Sequence, residues 1–342
     1  MIESERRNRA LYEVRNLDVI FKRGRGILRR KESVVHAVDD VSFDVYESEL
    51  LSIVGESGSG KTTIARCLMG LAVASSGSIR FDGSEVSKLS GRKLLDYWRR
   101  VQMVFQDPFE SLNPRLDVFT TLSIPLQRLS REKDKKKVSD EVSRLLWEVR
   151  LDPGEVLHKF PHQLSGGERQ RVNIAKALAP NPKVLIADEP ITMLDASQRL
   201  NILSLLINLK TSRNLTIILI THDLASAKIM SDRTAVMYCG KLVEIGPTEN
   251  LLTRPHHPYS ELILSATPRL TRREARSREM GMSSILAGIE ESQSVETGCV
   301  FAPRCKYKTA ICAESEPALL AKSSSHLAAC HNALNVDARH SS

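Results

Sequence analysis

The sequence predicts an α/β fold with a parallel or mixed sheet, and two observations carry that prediction. Residues 183–239 alternate short apolar strands with helical segments, as in "KVLIADEP", "NILSLLINLK" and "LTIILITHD". Near-continuous apolar strands separated by helices are typical of a parallel sheet covered on both faces. Residues 11–54 are predicted as further strands, since "LYEVRNLDVIF" alternates and "HAVDDVSFDVYESELLSIVG" ends in an apolar run.

The length and charge of the chain restrict its class. At 342 residues it is long enough for two domains and a sizeable core. The net charge of +8 is modest for this length, so we expect no nucleic acid as a partner. No apolar run approaches the roughly 18 residues that a membrane span needs. The N-terminal segment "MIESERRNRALYE" lacks an apolar signal core, and we therefore expect a cytoplasmic protein.

The segment "LLSIVGESGSGKTT" predicts a phosphate-binding loop between a strand and a helix. It matches the pattern G-x-x-x-x-G-K-[ST], in which glycines let backbone N–H groups surround a phosphate. Lys61 places a cation at the phosphates, and the Thr62 hydroxyl can bind Mg²⁺. A chance Gly/Ser-rich turn is the alternative, but the flanking strand and helix argue against it. The predicted nucleotide-binding residues of this loop are Gly55, Glu56, Ser57, Gly58, Ser59, Gly60, Lys61, Thr62 and Thr63.

Two adjacent acids follow the apolar strand in "KVLIADEP". The carboxyl ends of strands in open α/β sheets are where ligands bind, and Asp188 stands at such an end. We expect Asp188 to hold Mg²⁺, directly or through water, and Glu189 to act as the general base on an attacking water. Two surface acids at the start of a loop are the alternative reading, which a preceding phosphate loop makes less favourable.

A second glycine-containing helix start lies in "LSGGERQRVNIAKAL". Ser165 and Glu168 have the S-x-x-E spacing of a capping box, and Gly166 and Gly167 allow a phosphate to approach the helix N-terminus. Val172 and Ala175 predict a buried face, and "PNP" at 180–182 predicts the end of the helix. An ordinary helix cap without a ligand has the same spacing.

Changes in composition and in the strand and helix patterns divide the chain into four predicted parts. Residues 10–106 and 164–250 carry the strand–helix pattern and predict two parts of one core. Residues 107–163 are helix-rich and predict an inserted helical subdomain. Residues 251–342 predict a C-terminal extension, with a charged and Ser-rich linker over 270–298. The apolar face of one helix in the insert is marked by Val138, Val142, Leu145, Leu146 and Val149.

Six motifs in a fixed order resemble those of ATP-binding cassette (ABC) ATPases: "GESGSGKT", "VFQDP", "LSGGERQ", "VLIADEP", "LDASQ" and "ITHD". The resemblance implies a P-loop NTPase core that binds ATP and Mg²⁺ and hydrolyses ATP. In that family two cassettes pack head to tail, and the signature "LSGGERQ" of one contacts the ATP held by the other. Ser165, Gly166, Gly167 and Glu168 are the signature residues expected to do so.

Four further residues receive their roles from this resemblance. Gln106 resembles the Q-loop glutamine, which reaches Mg²⁺ or the attacking water and joins the core to the helical insert. His222 resembles the switch histidine that contacts the γ-phosphate. Asp195 resembles the D-loop aspartate at the dimer interface. Phe21 is the candidate for the aromatic residue that stacks on adenine, with a core phenylalanine as the alternative.

"DPFESLNP", "RPHHPYSELILSATP" and the tail resemble the ATPase subunits of oligopeptide and dipeptide importers. The resemblance implies a peripheral protein on the cytoplasmic face of the membrane that powers peptide uptake through two integral permease subunits. A second, homologous but different nucleotide-binding chain is expected as partner, and an extracytoplasmic solute-binding protein acts indirectly. Oligosaccharide or nickel import, and a soluble ABC ATPase without a transport role, are the alternatives.

Four cysteines lie near the C-terminus, at Cys299, Cys305, Cys312 and Cys330. Their spacing fits neither C-x-x-C zinc sites nor the common ferredoxin pattern. In the peptide-importer group such cysteines can hold a [4Fe–4S] cluster, which the resemblance therefore implies here. Zinc with help from His331, or thiols without a metal, remain alternatives, and disulfides are disfavoured in the cytoplasm.

Overall fold

The computed structural model describes residues 9–23, 33–107, 111–266, 297–323 and 325–332. The predicted linker at 270–298 therefore lies almost wholly outside the described residues. Two compact units divide the chain. The first contains Met1–Leu17, Ser42–Leu51 and Thr62–Thr221, and the second contains Asp18–Val41, Ser52–Lys61 and His222–Ser342.

The described chain contains both parallel and antiparallel strand pairs, which agrees with the predicted α/β fold with a parallel or mixed sheet. The strands are β1 (Ala10–Arg23), β2 (Ser33–Tyr46), β3 (Leu50–Val54), β4 (Ser76–Phe81), β5 (Ser84–Glu85), β6 (Val101–Val104), β7 (Val184–Asp188), β8 (Thr216–Thr221), β9 (Arg233–Tyr238), β10 (Lys241–Pro247), β11 (Leu320–Ser323) and β12 (His326–Ala328).

The helices of the described chain include those that the sequence predicts after the phosphate loop, within 107–163, after Ser165 and at "NILSLLINLK". They are α1 (Lys61–Leu68), α2 (Gly91–Arg100), α3 (Val118–Arg128), α4 (Lys135–Glu148), α5 (Pro153–Val156), α6 (Gly166–Leu178), α7 (Ala196–Arg213), α8 (Leu224–Met230), α9 (Thr248–Thr253), α10 (Pro258–Ala266) and α11 (Ile311–Glu314). Short 3₁₀ turns occur at Val86–Lys88, Pro161–Gln163 and Ala302–Arg304.

A parallel sheet forms the centre of the first unit. β6 pairs with β7, and β7 pairs with β8, both in parallel register. Every residue of β7 and β8 is buried, because helices cover the faces of such a sheet. The prediction of a buried strand in "LTIILI" is confirmed. A smaller sheet has the strand order β2-β1-β4-β5.

The helical stretch of the first unit is built from α3, α4 and α6, which pack against one another. The predicted apolar face of α4 is confirmed, since Val138, Val142, Leu145, Leu146 and the following Val149 are all buried. Asp134 caps α4 by accepting hydrogen bonds from the backbone N–H groups of Lys136 and Lys137. The boundaries of the insert at 107–163, and of the other three predicted parts, stay a prediction.

The second unit has an antiparallel arrangement that the sequence analysis did not predict. β9 pairs with β10, β10 with β12, and β12 with β11, all antiparallel. A core cluster combines Val54, Val236 and Leu251 with three residues of the tail, Cys299, Phe301 and Cys312. The tail buries these three residues against the core, whereas its Ile311 and Leu320 are exposed.

Candidate functional site

The phosphate loop of the second unit closes around its own lysine. The Lys61 ammonium donates to the backbone carbonyls of Gly55, at 2.9 Å, and Glu56, at 2.7 Å, and to the Ser59 hydroxyl, at 3.3 Å. Gly60 has a φ of +99°, and a Cβ there would lie 2.2 Å from the Ala37 carbonyl oxygen. Only glycine satisfies both conditions, so the second glycine of the motif is required by the backbone.

Thr62 and Asp188, the two predicted Mg²⁺ ligands, meet in the first unit. The Thr62 hydroxyl donates to the Asp188 carboxylate over 3.2 Å. Asp188 is the last residue of β7 and is buried. A hydroxyl and a carboxylate are ligands that Mg²⁺ prefers. The geometry suits the predicted ion, and the role of each residue stays a prediction.

Glu189 adopts an uncommon backbone conformation, with a φ of +46°. Its N–H donates to the Ile220 carbonyl at 2.9 Å, and its carboxylate accepts a 2.6 Å hydrogen bond from the Thr192 hydroxyl. Left-handed backbone at a non-glycine residue costs about 1–3 kcal/mol and persists where the surroundings hold it. The first hydrogen bond fixes the backbone of Glu189, and the second holds the side chain that is predicted to be the general base.

The capping box at the start of α6 is confirmed. The Glu168 N–H donates to the Ser165 hydroxyl at 3.3 Å, and the Ser165 N–H donates to the Glu168 carboxylate at 2.7 Å. The hydrogen bonds from Ser165 lower the pKa of Glu168 below its ordinary value. Ser165 is exposed and Gly167 is buried, while Gly166 is half-buried. The helix mouth is thus open toward solvent and has a negative carboxylate at its N-terminus.

The remaining predicted residues have the following places. Gln106 is exposed and follows β6 by two residues, and His222 directly follows β8. Asp195 caps α7, accepting from the Gln198 N–H at 2.9 Å and the Ser197 hydroxyl at 2.7 Å. Phe21 is 49% exposed, so the alternative of a core phenylalanine is wrong and adenine stacking stays a prediction.

The four tail cysteines line a single cavity of the second unit. His257, Tyr307 and His331 line it as well. None of the six cysteines in the described chain forms a disulfide bond. Among the described residues, no three His, Cys, Asp or Glu side chains stand close enough together to share one metal ion. The structure therefore gives no direct support for zinc or for an iron–sulfur cluster.

Burial favours the neutral form of three ionisable groups of this cavity. It raises the pKa of Cys330 to about 11 and also raises that of Cys299. It lowers the pKa of His257 to about 4. At neutral pH these thiols are protonated and the imidazole is uncharged, so binding of a metal to the sulfurs would release protons.

Sequence reasoning missed two residues that contact the phosphate loop. Arg304 forms an ion pair with Glu56, and the Tyr259 hydroxyl accepts a hydrogen bond from the Glu56 N–H at 3.0 Å. Arg304 is separated from Glu56 by 248 positions in the chain, and no local sequence pattern predicts a contact over that separation.

Two family models match the chain. The one described as "ABC transporter" covers residues 38–192. The other is described as "Oligopeptide/dipeptide transporter, C-terminal region" and covers residues 243–312. Together they include the phosphate loop, the signature helix, both acids at the end of β7, and three of the four tail cysteines.

Similar proteins extend over nearly the whole chain. The oligopeptide transport ATP-binding protein AppF of Bacillus subtilis (strain 168) is 38% identical over 94% of this chain and 97% of its own length. OppF of the same organism, another oligopeptide transport ATP-binding protein, is 43% identical over 75% of this chain and 82% of its own. A solved dimeric structure of the ATP-binding cassette MJ0796, in a post-hydrolysis state with ADP and Pi, has a TM-score of 0.62 at 28% identity, covering 69% of this chain and 98% of that one.

The phosphate loop, the Thr62–Asp188 hydroxyl–carboxylate pair and the glycine-tipped signature helix define an ATP-hydrolysing cassette of the P-loop class. The chain belongs to the ABC transporter ATPase family, in its group of oligopeptide and dipeptide transport ATP-binding proteins. Among the helices of the described segments, none combines the length and apolarity that a membrane span requires.

Proposed function

We propose that this chain hydrolyses ATP to power the uptake of oligopeptides or dipeptides through separate membrane subunits. The single observation that carries the proposal is its similarity, over 94% of its length, to an oligopeptide transport ATP-binding protein. The match of residues 243–312 to the C-terminal region of peptide transporters supports the same cargo class.

The chemistry is assigned to residues around the phosphate loop. Lys61 leaves its loop carbonyls to contact the β- and γ-phosphates, and Thr62 and Asp188 hold Mg²⁺, with Gln106 as a further contact. Bound Mg²⁺ neutralises charge on the phosphates. Glu189 takes a proton from the attacking water, and His222 donates to the γ-phosphate, so charge that grows during transfer meets positioned donors.

We infer that ATP is bound between two cassettes. Ser165 is exposed, and its N–H is used in the capping box. The N–H groups of Gly166 and Gly167, which take no part in the box, are the ones that would bind an anion at this helix N-terminus. Asp195 stands at the start of α7 and is exposed. The partner cassette is a homologous but different chain, and loss of the γ-phosphate reopens the pair.

The membrane subunits complete the importer. Residues 10–106 and 164–250 form the cassette core, and the helical part at 107–163 receives a helix of a permease subunit near Gln106. The chain then acts as a peripheral protein on the cytoplasmic face of the membrane. A solute-binding protein outside the cell selects the cargo, which the ATPase does not touch.

We further propose that the cysteines of the 251–342 extension hold a [4Fe–4S] cluster. Four thiols around one cavity supply the required ligand number. The cluster would join segments on both sides of α11.

Reconstitution tests the transport role. The chain is co-expressed with candidate permease subunits and a candidate second cassette from the same genome, and the complex is placed in liposomes. Peptide-loaded solute-binding protein is expected to stimulate ATP hydrolysis, whereas the same protein without peptide is not. Stimulation by an oligosaccharide- or nickel-binding protein instead would reassign the cargo. Purification with DNA or ribosomes, free of membrane subunits, would remove the transport role.

Anaerobic purification tests the cluster. Protein with four irons per chain and a brown colour that absorbs near about 400 nm supports it. Cys312→Ser is expected to lose the iron and the colour. Cys67→Ser changes a buried cysteine that is distant in sequence from the four tail cysteines, and it is expected to keep both. Stoichiometric zinc without iron in the anaerobic wild type would contradict the cluster.

A further inference from the structure

Glu56, the second residue of the phosphate loop, is held at three points by side chains of the same unit. Its carboxylate accepts two hydrogen bonds from Arg304, at 2.9 and 3.0 Å. Its N–H donates to the Tyr259 hydroxyl at 3.0 Å, and its carbonyl accepts from the Lys61 ammonium at 2.7 Å. The C-terminal extension therefore contacts the loop at the residue whose carbonyl holds the phosphate-binding lysine.

Arg304 is fixed by aromatic rings rather than free in solvent. Its guanidinium carbon lies 5.6 Å from the ring centroid of Tyr238 and 5.9 Å from that of Phe301, within cation–π range. One of its N–H groups reaches the Tyr238 hydroxyl at 3.4 Å. The hydrogen bond to Glu56 is the first cause that raises the pKa of Arg304 above its ordinary value. Most partly exposed ion pairs contribute little free energy. A bidentate contact with a guanidinium held in place is the kind that makes a measurable contribution.

The backbone that presents Arg304 is the turn between two of the tail cysteines. Arg304 is the last residue of the 3₁₀ turn Ala302–Arg304, and its N–H donates to the Phe301 carbonyl at 3.0 Å. The Ala302 N–H donates to the Cys299 carbonyl at 2.9 Å. Side chain and backbone are thus both positioned before any nucleotide binds.

A carboxylate in a phosphate loop opposes the binding of ATP. The loop surrounds a triphosphate with backbone N–H groups, and a like charge beside it weakens the attraction unless a cation compensates. When ATP is bound, the positive charge of Lys61 compensates the phosphates, so it cannot also neutralise Glu56. Arg304 supplies that second cation and at the same time fixes the direction in which the carboxylate points.

We propose that Arg304 is a positioning residue for ATP binding: it neutralises Glu56 and holds it in the loop, so that the C-terminal extension sets the affinity of the cassette for ATP. The inference rests on ATP binding at the phosphate loop and is independent of the cysteine chemistry. Arg304 acts through Glu56 and takes no part in the hydrolysis step.

The test is a titration of the intact chain with a fluorescent ATP analogue in the presence of Mg²⁺. Arg304→Ala is expected to weaken binding by about fivefold to tenfold. Arg304→Lys is expected to weaken it by less, because lysine keeps the positive charge and loses only the bidentate hydrogen bonding. The double variant Glu56→Gln/Arg304→Ala is expected to regain most of the loss. Glu56→Gln alone is expected to bind about twofold more tightly than wild type, since the loop then gains uncompensated positive charge.

Two controls make the outcome decisive. Lys306→Ala removes a cation two residues away that pairs with Glu261 at 3.3 Å, and it should bind ATP like wild type. Lys61→Ala should lose binding, and wild type that binds no better than this variant would contradict ATP binding at the loop itself. If wild type binds but Arg304→Ala and Arg304→Lys match it, or if the double variant stays as weak as Arg304→Ala, the role of Arg304 is wrong. Should Arg304→Ala not fold, a several-fold weaker affinity of Glu56→Gln overturns the inference as well.

Hydrolysis kinetics separate positioning from catalysis. In the reconstituted complex, Arg304→Ala is expected to raise KM for ATP by the same factor as in the titration and to leave kcat within about twofold of wild type. A fall in kcat with unchanged KM would contradict a role in binding.

Discussion

The Thr62 hydroxyl donates a hydrogen bond to the carboxylate of Asp188 over 3.2 Å, although 126 positions separate the two residues. The contact joins the first turn of α1 to the carboxyl end of β7 within one unit. Two motifs that were recognised separately in the sequence are thus brought together by the fold. The hydrogen bond brings the two predicted Mg²⁺ ligands side by side and orients each relative to the other.

Removing either member of this pair should raise the Mg²⁺ requirement of ATP hydrolysis. We expect Thr62→Val and Asp188→Asn to lower the rate at fixed ATP by at least about a hundredfold, because charge on the transferring phosphate loses its counter-ion. Thr62→Ser keeps the hydroxyl and should stay within about tenfold of wild type. A Mg²⁺ titration of phosphate release measures this, and equal Mg²⁺ dependence of Thr62→Val and Thr62→Ser would count against the assignment.

Substitution of Glu189 by glutamine should stop turnover and leave nucleotide binding intact. The amide has nearly the same size and cannot take a proton, so hydrolysis is expected to fall by about a hundredfold to ten-thousandfold. ATP should then persist on the protein, and a stable ATP-bound pair of cassettes should accumulate on size-exclusion chromatography. Thr192→Val, which removes the 2.6 Å hydrogen bond to Glu189, should lower kcat without changing ATP affinity. Near-normal turnover by Glu189→Gln would exclude a general-base role.

The parts of the site that the sequence predicted are those in which local chemistry decides the structure. The capping box of Ser165 and Glu168 depends on a three-residue spacing, and Asp188 ends a strand that is apolar throughout. In the loop, Gly60 is required by its own φ and by the neighbouring Ala37 carbonyl. Each of these features leaves a pattern within about ten residues, which is the range that periodicity and spacing report.

The parts that were missed depend on contacts between distant segments. Arg304 stands in "FAPRC", which looks like an ordinary loop, and its partner Glu56 looks like a variable position of the phosphate loop. The antiparallel pairing of β10 with β12 likewise joins segments more than eighty residues apart, from Glu244 to Ala328. Side chains in such contacts carry no periodic signal, so only the fold reveals them.

The capping box at α6 should make stability depend on pH in a definite direction. Hydrogen bonds from Ser165 lower the folded pKa of Glu168 below its ordinary value of 4.5. The ionised carboxylate therefore stabilises the folded protein above about pH 4.5, and this contribution is lost as pH falls through the lower, folded value. At pH 7 Glu168→Gln should be less stable by about 0.3–1 kcal/mol, since the group is partly exposed.

Denaturant unfolding at several pH values measures this difference. The gap between wild type and Glu168→Gln should shrink as the pH approaches 4 and below. Ser165→Ala, which removes the cap itself, should cost about 1 kcal/mol at pH 7. A gap that stays constant from pH 7 to pH 3.5 would show that the charge of Glu168 does not contribute.

A buried carboxylate ties the C-terminal hairpin to the rest of the second unit, and its removal should be the most destabilising of these changes. Glu244 is fully buried and accepts from the backbone N–H groups of His256, at 2.7 Å, and His257, at 3.0 Å. Its other contact is the Nε2 of the buried His326 in β12, at 2.7 Å. Glu244→Ala leaves these groups without an acceptor in a site that excludes water, so we expect a loss of about 3–5 kcal/mol.

The matched control for Glu244 is Glu316, an acid of the same unit that pairs with Lys241 at 2.5 Å but is half exposed. Glu316→Ala should change the free energy of unfolding by less than about 1 kcal/mol, because water replaces the lost partner. Glu244→Gln keeps one acceptor oxygen and should fall between the two. Hydrogen exchange of the β12 amides locates the effect, and should accelerate in Glu244→Ala well before global unfolding. If the Glu244 and Glu316 variants lose stability equally, burial of the carboxylate is not what holds the hairpin, and the aromatic contact of His256 with His326, at 4.6 Å between ring centroids, becomes the better explanation.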